Sequence, residues 1–69
     1  MTTPTRDELV LWARRLDRSA LPEWVCYHMD RMIVHLRTQH PIRPVELRYY
    51  RQMLVWADDL ANEPERGGQ

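Results

Sequence analysis

Proline divides this chain more decisively than any other residue. Pro22, Pro41 and Pro44, with Pro4 ahead of them and Pro64 behind, bound three stretches that contain neither proline nor glycine. Proline lacks an N–H and clashes with the preceding helical turn, so each one closes or opens a helix. Within the stretches, apolar residues recur at spacings of three and four, and valine and isoleucine never alternate over a strand-length run. The sequence therefore predicts an all-α fold, a compact three-helix unit over about 6–19, 22–39 and 44–61.

Local signals agree with these bounds. Thr5-Arg6-Asp7-Glu8 fits a capping box, with Thr5 as N-cap and Glu8 reaching back. Leu9, Trp12, Ala13 and Leu16 form the apolar stripe of the first helix, and Arg14, Arg15 and Arg18 lie opposite, with Leu11 among them. Pro22 suits the first position of the second helix, whose core stripe is Val25, Met29, Met32, Ile33 and Leu36. A second stripe, Trp24, Tyr27, Arg31, Val34 and Thr38, runs along its far side. The third helix is apolar over roughly 200° of its circumference, against about 100° for a helix with one buried face. Leu47, Tyr50, Leu54, Ala57 and Ala61 make one edge, and Tyr49, Met53, Trp56 and Leu60 the other.

Residues 1–61 are expected to form a single helical domain, and 62–69, rich in charge and glycine with no apolar anchor, a disordered C-terminal tail. The 69 residues leave no room for separate catalytic and binding domains. A core this small supplies about 3–5 kcal/mol, which makes self-association valuable. A homodimer is expected, with Tyr49, Met53, Trp56 and Leu60 at the interface; the alternative is a monomer that buries both edges itself.

Chemistry is sparse. Cys26 stands alone, so no internal disulfide forms, and the start Met1-Thr2-Thr3-Pro4 lacks the basic and apolar segments of a signal peptide. The chain reads as cytoplasmic, with no membrane association. Cys26, His28, His35 and His40 match no common zinc spacing, so no metal or other cofactor is expected. Cys26 and His28 point away from each other along a helix, Asp58 and Asp59 are neighbours at a solvated helix end, and no glycine-rich phosphate loop exists. No catalytic residue is assigned, and the chain is read as not an enzyme.

Binding is the remaining class. Ten arginines and no lysine balance ten acids to zero net charge. The balance is uneven, with nine arginines against six acids in residues 1–57 and one against four in 58–69. Bulk attraction to nucleic acid is thus disfavoured, although arginine patches keep a small DNA- or RNA-binding regulator as the alternative. An acidic end could also screen those patches. Trp, Tyr and Arg are the residues most enriched at binding hot spots. The expected partner-binding residues are Trp24, Tyr27, Arg31 and Val34, with Leu11, Arg14, Arg15 and Arg18 as a second patch. The expected function is a non-enzymatic protein-binding module that inhibits or modulates another protein by occupying its surface.

The overall profile, short, helical, lysine-free and without catalytic groups, resembles small phage-encoded host-takeover proteins from high-GC bacteria. That group includes anti-activators of quorum-sensing regulators, anti-CRISPR proteins and pilus-motor inhibitors. The resemblance implies a host protein as partner and inhibition as the outcome. It rests on the character of the chain and carries over no individual residue.

Overall fold

Thr5 opens the first helix as the capping box requires. Its hydroxyl accepts the Glu8 N–H at 3.2 Å, and the Glu8 carboxylate accepts the Thr5 N–H at 3.0 Å. The computed structural model describes residues 2–62 and contains three helices, α1 (Arg6–Arg15), α2 (Glu23–Thr38) and α3 (Pro44–Ala61). Apart from Asn62, the expected tail lies outside the described residues. Thr5→Ala removes the reciprocal cap and is expected to cost about 1 kcal/mol, read as a lower urea midpoint with unchanged helical signal.

The first helix ends earlier than its sequence predicts. It stops at Arg15, and a short 3₁₀ turn, Arg18–Ala20, replaces the expected last turn. Asp17 is the cause: its Oδ1 accepts both the Ser19 N–H at 3.0 Å and the Ser19 hydroxyl at 2.6 Å, offering the backbone a local alternative to the helix. The same two bonds hold the Asp17 carboxyl below its ordinary pKa. Pro22 falls just outside α2 rather than at its first position, whereas Pro44 is the first residue of α3. In the connection between α2 and α3 the His40–Pro41 bond is cis, and Ile42 folds back onto the core.

The core is aliphatic. Leu9 and Ala13 of α1, Leu21, Val25, Met29, Met32 and Leu36 in and before α2, and Leu54 and Ala57 of α3 are buried. Ile33, expected in the core stripe, is only half-buried. No polar or charged residue is buried among the described residues. α1 packs closely against both α2 and α3, whereas α2 and α3 meet chiefly through long side chains. One further tie joins α1 to α2: Arg6 Nη1 donates to the carbonyls of Leu36 at 2.7 Å and Gln39 at 2.5 Å, closing the C-terminal end of α2.

Candidate functional site

All six aromatic rings lie outside the buried core. Trp12 and Tyr50 are half-buried, and Trp24, Tyr27, Tyr49 and Trp56 are exposed. Trp12 is anchored, its indole N–H donating to Asp58 Oδ2 at 2.9 Å, while Asn62 Nδ2 donates to Asp58 Oδ1. Asp58 is therefore a half-buried acceptor between α1 and α3 and not the solvated helix-end acid the sequence implied.

Trp24, Tyr49 and Trp56, with His28, line a cleft between α2 and α3, and Tyr27 and Tyr50 touch its walls through His28 and Tyr49. Tyr27 meets His28 edge-on at 5.8 Å, His28 meets Trp24 at 6.0 Å, and Trp24 leans on Trp56 of α3 at 5.5 Å. Further along, His35 packs edge-on against Tyr50, which in turn meets Tyr49. The cleft has a volume of about 360 Å³ and is floored by Val25 and Met53, with Trp24, His28, Tyr49, Gln52 and Trp56 on its walls. Desolvation here pushes the Tyr50 hydroxyl above its ordinary pKa, helped by the nearby Glu46 charge. The buried Nε2 of His35 has no hydrogen-bond partner among the described residues.

The far-side stripe of α2 is open. Tyr27 and Val34 are 57% and 60% exposed, and Arg31 lies over the Tyr27 ring at 5.8 Å while its Nη1 donates to the phenol oxygen at 3.3 Å. The contact presents tyrosine and arginine as one preshaped unit. Trp24, the fourth member, turns instead toward α3. Thus two surfaces read separately from the sequence, the α2 stripe and the second edge of α3, meet at the Trp24–Trp56 pair. Of the residues expected on that α3 edge, Met53 and Leu60 pack partly on the chain's own core, and Tyr49 and Trp56 stay exposed. Val45, which the sequence reading passed over, is exposed on the same side.

The patch assigned to α1 is divided. Leu11 is exposed, with Arg14 beside Arg37 on one flank and Arg15 beside Asp17 on the other. Arg18 belongs to neither flank, because α1 ends before it. Its Nη2 donates to Asp30 Oδ1 of α2 at 2.5 Å, and that bond holds its pKa above the ordinary value. Arg6 is committed to α2 carbonyls and Arg43 sits 3.7 Å from Glu46, which removes both from any unpaired arginine patch.

No group of three histidine, cysteine, aspartate or glutamate side chains gathers at metal-holding distance among the described residues. Nor is any described helix long and apolar enough to cross a membrane. Cys26 is half-buried, its thiol directed at the Arg18 carbonyl at 3.6 Å. Compared with protein-family models, curated proteins and solved structures, the chain gives no match.

Proposed function

We propose that this chain is a non-enzymatic protein-binding module that modulates another protein by occupying its surface. The observation that carries the reading is the placement of every aromatic ring outside an all-aliphatic core. Tyr and Trp bring about 150–250 Å² of burial each, and a chain short of core area that leaves them outside spends that area on a partner. The docking face is the outer side of α2, where Tyr27, Arg31 and Val34 stand exposed, while Trp24 turns toward α3. In keeping with the profile of host-takeover proteins, the partner is a protein of the host and the outcome is inhibition.

The reading predicts that Tyr27→Ala with Arg31→Ala weakens capture of the partner at least ~10-fold while helical content stays unchanged. Binding is also expected to weaken only gently with salt, because an aromatic-centred interface releases few counterions, whereas phosphate contacts weaken steeply. Affinity purification with the full chain checks both points. Loss of every association on nuclease treatment, or full capture by the double variant, overturns the reading.

A further inference from the structure

The side of α3 opposite its buried Leu54 and Ala57 carries Val45, Tyr49, Gln52 and Trp56, all exposed. Their spacings of four, three and four place them on one seam, the repeat by which two helices pack along their length. Tyr49 is 67% and Val45 54% exposed; Trp56, at 41%, is shielded mainly where it meets Trp24. We infer that a second copy of this chain covers the seam, the two α3 helices running antiparallel about a twofold axis beside residues 50 and 51. This surface is additional to the α2 docking face, whose Tyr27 and Val34 line a hollow with no α3 residue in it.

The seam is self-complementary about that point. Reversing α3 on itself sets Val45 of one copy opposite Trp56 of the other, and Tyr49 opposite Gln52, each pair occurring twice as an isologous contact requires. A large ring then meets a small branched side chain at each end. A phenol meets an amide at the centre, where a polar pair fixes register. A parallel arrangement stacks Trp56 on Trp56 and Asp59 on Asp59. The antiparallel one brings the exposed Asp59 of each α3 close to the level of Arg43 of the other, whose side chain is 76% exposed. Opposite charges therefore meet at both ends, and the helix dipoles oppose.

The area agrees with a modest dimer. Val45, Tyr49, Gln52, Trp56 and Trp24 leave on the order of 500 Å² open per copy. Two copies bury about 1,000 Å², the lower bound of a specific interface. An interface at this lower bound is expected to associate weakly and in a concentration-dependent way.

Sedimentation of the full chain over about 1–100 µM is the test. The mass is expected to rise from 8.4 kDa toward twice that value with concentration. Gln52→Glu places a carboxylate from each copy near the axis and is expected to weaken association at least ~10-fold. Helical content should be unchanged, since Gln52 lies outside the core. Trp56→Ala is the second seam variant, and Val34→Ala, on the other face, should dimerise normally. A mass of 8.4 kDa at every concentration overturns the inference, as does a dimer indifferent to both seam variants. A Gln52→Glu monomer that still captures its partner supports the seam and leaves the α2 face standing. A wild-type monomer that captures a partner sinks the seam alone.

Discussion

Replacing Leu54 with alanine is expected to leave this chain largely unfolded at 25 °C. Leu54 is fully buried and is, with Leu9, Met29 and Leu36, among the largest side chains the core encloses. Removing a buried leucine to the β-carbon costs about 2–5 kcal/mol, part lost transfer energy and part the cavity left behind. A core of this size supplies only about 3–5 kcal/mol, so one substitution consumes most of it. Far-UV circular dichroism against urea reads the result as a midpoint falling toward zero denaturant. Leu54→Met keeps the volume and should cost under about 1.5 kcal/mol, separating loss of packing from loss of leucine. A midpoint for Leu54→Ala close to wild type would mean that Leu54 is not part of the packed core.

The second large effect belongs to a polar residue. Arg6 stands on the first turn of α1 yet donates to two carbonyls at the end of α2. Those oxygens have no partner within their own helix and carry its negative end, so a cation there serves both bonding and charge. Arg6→Met keeps the aliphatic stem and removes the donors. It is expected to destabilise the fold by about 1–3 kcal/mol, with the loss of hydrogen-exchange protection concentrated in the last turn of α2. Arg6→Lys should restore part, since a lysine carries the charge without the planar fork. Equal protection in Arg6→Met and wild type would show the tie to be incidental.

The contrast between these residues tells where a sequence is readable. Leu54 falls on an apolar period, and the bounds of α3 follow from Pro44 and Asn62, so helix positions and most of the core could be read directly. Nothing near Arg6 in the sequence marks it for this tie, because its acceptors lie thirty and more residues away. The end of α1 was misjudged for a local reason: Asp17 and Ser19 compete with the helix, and an apolar period does not register that competition. The candidate surfaces divide in the same way. Exposure of Tyr27 and Val34 followed from their place opposite the α2 core stripe. The meeting of Trp24 with Trp56 did not, because it depends on how two helices cross in space, and so Trp24 was grouped with the α2 stripe although it packs on α3. The same crossing sets His35 of α2 edge-on against Tyr50 of α3, a contact the spacing within neither helix shows.

The sorting of tryptophans gives this chain a built-in pair of optical gauges. Trp12 is locked to Asp58 between α1 and α3 and will shift its emission when those helices separate. Trp24 and Trp56, in mutual contact at the surface, are open to a soluble quencher until something covers them. Titration with iodide should therefore resolve a shielded and an accessible class of emitters, and the accessible class alone should shrink on association. One fluorophore reports whether the chain is folded, and two report whether it is occupied.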